Sequence, residues 1–159
     1  MRRVVMVLVV LAVAVLARPA SAEDNPFLGT WKLNVAKSKY EGAAAPKSQT
    51  RTVTQQGNGV KYSFEGAAAD GTPITFSFVT YYDGTEAAIT GTGAPAGADS
   101  ITLKRVNSHK IEGTLHKGGK DLGKVVAEVS KDGKVATVRG KGKTADGKDY
   151  STESVYDKQ

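Results

Sequence analysis

From Phe27 onward, apolar and polar residues alternate in short runs, and no stretch carries an apolar stripe at helical spacing. Read with a period of two, β-branched and aromatic runs between turn signals predict ten strands. They are Phe27 to Val35, Gln49 to Gln55, Val60 to Glu65, Pro73 to Tyr81, Glu86 to Thr90, Ser100 to Val106, His109 to Lys117, Leu122 to Ser130, Lys134 to Lys141 and Asp149 to Asp157. Asp70-Gly71, Asp83-Gly84, Gly118-Gly119, Asp132-Gly133 and Asp146-Gly147 stand between strands, as does Gly57-Asn58-Gly59, and supply the turn chemistry of tight hairpins. Consecutive strands joined by short turns make an up-and-down meander, and closing it removes exposed edges. The expected fold is therefore all-β, an antiparallel barrel of about ten strands whose first and last strands meet. Ala36 to Ser48, with Gly42 and Pro46, is the one long irregular connection, and Gly91 to Gly97 is a second loop.

The same alternation assigns an inner face. Trp31, Leu33 and Val35 share one side of the first strand, Tyr62 and Phe64 of the third, and Ile74, Phe76 and Phe78 of the fourth. Ile101, Leu103, Ile111 and Leu115 continue the set, and Val125, Ala127 and Val129 turn inward, which leaves Glu128 outside. Much of the remaining inner face is Gly, Ala, Ser and Thr, and ten strands enclose more width than eight, so a cavity is expected.

Residues 1–22 read as a signal peptide: Met1-Arg2-Arg3 is positive, Val4 to Ala17 is uncharged and apolar, and Ala20-Ser21-Ala22 offers a small-x-small cleavage site. That run is shorter than the roughly 20 residues that span a bilayer. Residues 23–159 then form one barrel domain, exported to the periplasm or secreted. Loss of Arg2, Arg3 and Arg18 lowers the formal charge from +6 to +3. The chain has no cysteine, which excludes disulfides and thiolate metal sites. Residues 101–148 hold 12 Lys plus Arg against 5 Asp plus Glu, so one barrel wall should be basic.

Pro26-Phe27-Leu28-Gly29-Thr30-Trp31-Lys32-Leu33 resembles the opening strand of the fatty-acid-binding proteins, within the broader lipocalin or calycin group. Val155-Tyr156-Asp157-Lys158 is similar to their closing strand, and ten strands agrees with that branch better than the eight of true lipocalins. The resemblance implies a helix pair after the first strand, but Ala36 to Ser48 is too short and too rich in Gly and Pro for one, so the mouth is expected to stand open. It also implies a carboxylate clamp made by the final tyrosine and an arginine two residues earlier. Tyr156 is present, while the arginine position holds Ser154, which lacks a guanidinium's charge and paired donors. A second family arginine falls near Glu128. Aligned on Asp132-Gly133, the ninth strand would turn Val135, Thr137 and Arg139 inward, and Arg139 with Ser154 and Tyr156 becomes a candidate polar site.

Catalytic chemistry finds little footing. His109 and His116 are seven residues apart on one strand and should face opposite sides, which argues against a shared metal. Gly118-Gly119-Lys120 lacks the spacing of a phosphate loop, and neither Asp-Gly turn near the C-terminus has the ligand series of a calcium loop. No serine lies in Gly-x-Ser-x-Gly. No catalytic residue, metal ligand or cofactor is assigned.

The leading expectation is an exported, monomeric, lipocalin-like barrel that binds a small apolar or amphipathic ligand without transforming it. Trp31 would close one end, and Tyr62, Phe64, Phe76 and Phe78 would line the cavity. Tyr156 with Ser154 or Arg139 would orient a polar head. One alternative is an envelope interaction protein that uses the basic wall to contact anionic partners. Another is a barrel enzyme with an unassigned site. Nucleic acid is not expected as a partner, because the aromatics lie inside and away from the basic wall.

Overall fold

Residues 25–144 and 146–159 are described by the computed structural model of the chain, and the expected signal segment lies outside them. Among the described residues no helix is long and apolar enough to cross a membrane. Twelve strands form: β1 (Gly29–Leu33), β2 (Lys39–Glu41), β3 (Ser48–Gln56), β4 (Gly59–Ala67), β5 (Pro73–Thr80), β6 (Asp83–Ala88), β7 (Thr90–Thr92), β8 (Ser100–Asn107), β9 (Lys110–Lys117), β10 (Lys120–Val129), β11 (Val135–Lys143) and β12 (Asp149–Lys158). All pairs are antiparallel, and the ladder runs β6-β8-β9-β10-β11-β12-β1-β3-β4-β5-β7. The result is the expected all-β up-and-down barrel. Its ends meet as the sequence implied, with Trp31 opposite Lys158 and Leu33 opposite Tyr156.

Two departures concern the strands. The expected fifth strand, Glu86 to Thr90, is broken at Ile89 into β6 and β7, which go to different neighbours: β6 pairs with β8 and β7 with β5. These two pieces are the ends of the ladder, so the chain itself, rather than a row of hydrogen bonds, closes the cylinder. β5 and β6 lie side by side with no ladder between them. Tyr82, at the corner between them, has φ of 56°, a conformation costly for a residue with a side chain. It is held there by burial and by a 2.6 Å hydrogen bond between its hydroxyl and that of Tyr62.

The second departure is in the connection after β1. Residues 34–47, expected to be irregular from Ala36 on, hold a single 3-10 turn, Val35–Lys37, followed by the short strand β2. Asn34 starts the turn: its Oδ1 accepts from Lys37 N, and its Nδ2 donates to Asp157 Oδ2 at 2.7 Å. The chain thereby leaves the wall one residue before Val35. That corrects the expectation that Val35 faces inward, since it is 42% exposed. β2 then rejoins the wall against the upper part of β12, with Tyr40 opposite Thr152.

The floor of the barrel is solid. Phe27, Trp31, Val53 and Thr80 are the largest fully buried side chains among the described residues, and Trp31 Nε1 donates to Phe27 O at 3.0 Å. Leu33, Tyr62, Ile74, Phe76, Phe78, Ile101, Leu103, Ile111, Leu115, Ala127 and Val129 are buried on the inner face, as the alternation implied, and Phe64 and Val125 pack against them. Gly118 and Gly119, with φ of 55° and 75°, make the two-residue hairpin between β9 and β10.

Candidate functional site

Above the floor the interior opens into a cavity of about 480 Å³, within the range of roughly 300–1,000 Å³ usual for small-molecule sites. Its mouth lies among the connections at residues 43–46, 68–70 and 93–96, where the one helical piece among the described residues is the short 3-10 turn Pro95–Gly97. Small residues rim it, including Ala44, Pro46, Ala69 and Pro95.

The two sides of the cavity differ because the strands that build them differ. β4 and β5 alternate aromatics with polar residues in matched register, so Tyr62 stands opposite Phe78 and Phe64 opposite Phe76. The rings stack, with centroids 5.0 Å apart in the first pair and 4.3 Å in the second. This is the aromatic wall. The facing wall, from β9 to β12, offers small or branched side chains such as Val125, Ala127, Val138 and Thr152, and it is their size that leaves the space. At its upper end the ring of Tyr150 lies over glycines. A Cβ on Gly123 would stand 2.6 Å from the Tyr150 hydroxyl, and one on Gly140 would stand 3.4 Å from its ring.

The most consequential inner residue is not among those expected at the site. Arg51 on β3 is 3% exposed, with its guanidinium carbon 4.7 Å from the centroid of Tyr156, 5.5 Å from Trp31 and 6.0 Å from Tyr62. Its Nε and Nη2 are buried with no hydrogen-bond partner, and no carboxylate pairs with it among the described residues. Beside it, Tyr156 donates to Gln49 Oε1 at 2.5 Å. Burial pushes the Tyr156 phenol up to about 12, with the charge of Arg51 opposing the shift, and burial likewise raises Tyr62. Both are neutral hydroxyls at physiological pH. Among the described residues the only other charged one lining the cavity, Asp70, is at the rim. Its carboxyl is held below the usual range because it accepts from the Thr72 backbone N–H at 2.9 Å and from the Thr72 hydroxyl. The inner chamber therefore carries one uncompensated positive charge.

Of the residues expected at the site, Tyr62, Phe64, Phe76, Phe78, Ser154 and Tyr156 all line this cavity. Ser154 shares a 2.8 Å hydrogen bond with the Tyr40 hydroxyl from β2. Arg139 must be moved to the outside, 51% exposed, where it donates to Glu128 at 2.8 Å and Glu153 at 2.9 Å. The reason is register. Ala136 pairs with Tyr156 and Val138 with Ser154, so these β11 residues face inward and Val135, Thr137 and Arg139 face outward. Removing the Arg139 side chain should cost at most about 1 kcal/mol in urea unfolding and leave ligand affinity unchanged, because an exposed ion pair contributes little.

The histidines do not meet. His109 is in the β8–β9 turn, while His116 on the outer face contacts Asp121 at 2.9 Å. Among the described residues no group of three His, Cys, Asp or Glu is placed to hold a metal ion. The basic stretch does occupy adjacent strands, β8 to β11, but carboxylates interrupt it. Lys110 pairs with Glu112, Lys143 with Asp149 and Lys148 with Asp146.

No family model matches the chain. No curated protein matches it either. Among solved structures, zebrafish ileal bile acid-binding protein, determined in complex with cholic acid, is similar with a TM-score of 0.48 and 13% identity, over 84% of this chain and 99% of that one.

Proposed function

We propose that the barrel binds one small amphipathic molecule with an anionic head and releases it unchanged. The head lies against Arg51, Gln49 and Tyr156, and the apolar body lies along the aromatic wall toward the mouth. The observation that carries this reading is the buried, acid-free guanidinium of Arg51 in the wall of a largely apolar cavity. Burying a charge without a partner costs several kcal/mol, and an oxyanion supplies the missing charge and hydrogen bonds together. The signal-like segment supports placing this activity outside the cytoplasm, in a monomeric carrier or scavenger.

Calorimetry with dodecanoate, 1-dodecanol and dodecyltrimethylammonium tests the reading, because the three share a chain and differ in head charge. Dodecanoate should bind most tightly and the cation most weakly. Equal affinities would remove Arg51 from the site, and failure of all three to bind would reject the carrier reading.

The envelope alternative draws on one observation, that Lys124 and Lys141 stand directly opposite each other on the outer face and neither has a carboxylate within ion-pair distance among the described residues. Like charges in that position destabilise a sheet unless an anion neutralises them. The interior has the stronger support, because the Arg51 charge is buried as well as unpaired, whereas these lysines face water.

A further inference from the structure

The buried side-chain polar atoms without a hydrogen-bond partner among the described residues belong to two side chains, Arg51 and Tyr150. Both line the same cavity. They stand at opposite ends of it: Tyr156, against which Arg51 stacks, and Tyr150 lie six residues apart on β12, roughly 20 Å along a strand. Each orphan would ordinarily cost about 1–3 kcal/mol, and a fold that only needed a packed wall would do better with phenylalanine at position 150. The Tyr150 hydroxyl rests over Gly123, where a Cβ would meet both it and Lys141 O at 2.6 Å.

We propose that the ligand carries two polar groups rather than one: an anionic head at Arg51 and, at the far end of its apolar body, a hydrogen-bonding group such as a hydroxyl that pairs with Tyr150. This rests on the carrier reading above and narrows it to amphiphiles functionalised at both ends. A cavity with a single polar pole favours a plain chain, because carrying a terminal hydroxyl into an apolar mouth costs desolvation. A cavity with a second pole reverses that preference.

The test compares dodecanoate with 12-hydroxydodecanoate, and hexadecanoate with 16-hydroxyhexadecanoate, by calorimetry on the wild-type protein and on Tyr150→Phe. The ratio of the two affinities within each protein is the readout, so a general loss of affinity in the variant cancels, and its urea midpoint reports that it is folded. For at least one chain length the wild-type protein should prefer the hydroxylated acid by about fivefold, the worth of one net hydrogen bond, and Tyr150→Phe should prefer the plain acid. If both proteins discriminate equally at both lengths, Tyr150 reads nothing and the second pole is rejected, while tight binding of the plain acids leaves the carrier reading standing. If no acid binds, both readings fall.

Discussion

Arg51→Met should bind dodecanoate at least tenfold more weakly than the wild-type protein and, without ligand, unfold at an equal or higher urea concentration. The two halves have opposite signs because the guanidinium serves binding at the expense of folding. In the empty barrel its charge is desolvated, an effective cost of several kcal/mol, with no carboxylate to compensate. Its faces are turned to Trp31, Tyr62 and Tyr156, but such contacts return only about 0.5–2 kcal/mol each. Methionine keeps a similar length, packs against the same rings and removes the charge, so a gain of about 1–3 kcal/mol in the unliganded protein is expected. The loss of affinity follows from removing charge-assisted hydrogen bonds worth about 1.5–3 kcal/mol. Urea unfolding and calorimetry on the same preparation check both signs. A destabilised variant with unchanged affinity would make Arg51 a structural residue only.

Trp31→Ala should be the most destabilising single change, at about 3–5 kcal/mol. Trp31 is fully buried in the floor, ties the segment before β1 to the barrel through Phe27 O, and stacks under both Arg51 and Lys158. Its strand joins β3 on one side and β12 on the other, so the loss falls at the closure itself. Trp31→Phe restores most of the packing but leaves Phe27 O without its indole donor, and should cost about 1–3 kcal/mol. Urea unfolding monitored by far-ultraviolet circular dichroism measures both. A loss below 1 kcal/mol for the alanine variant would mean that the floor does not hold the ends together.

The architecture was legible because aromatic and β-branched residues declare their face. In β4 and β5, Tyr62, Phe64, Phe76 and Phe78 share one parity and leave no competing reading. β11 offers no such guide. Val135 and Val138 differ by an odd number of positions, so either phase buries one valine, and only the pairing of Ala136 with Tyr156 decides. A shift of one residue exchanges every side chain between the faces, which is how Arg139 came to be expected indoors.

Arg51 was missed for a different reason. It has the same parity as Gln49 and Val53, so alternation alone would have sent it inward. The general rule that arginines reach water points the other way. Tyr40 and Tyr150 escaped notice because the first sits in a connection read as irregular and the second at a strand end, where periodicity is weakest. What found all three is three-dimensional: cross-strand register, and the accounting of polar atoms left without partners.

The missing ladder between β5 and β6 bears on what such a vessel can hold. A cylinder hemmed on all sides by hydrogen bonds has a fixed girth, because widening it anywhere tears a row of them. Here one seam is unstitched, and side chains rather than a row of hydrogen bonds set its width, with Tyr82 packed against Phe27 and bonded to Tyr62 across it. At that one place a substitution of Tyr82 or Phe27 alters the girth of the interior without tearing a ladder.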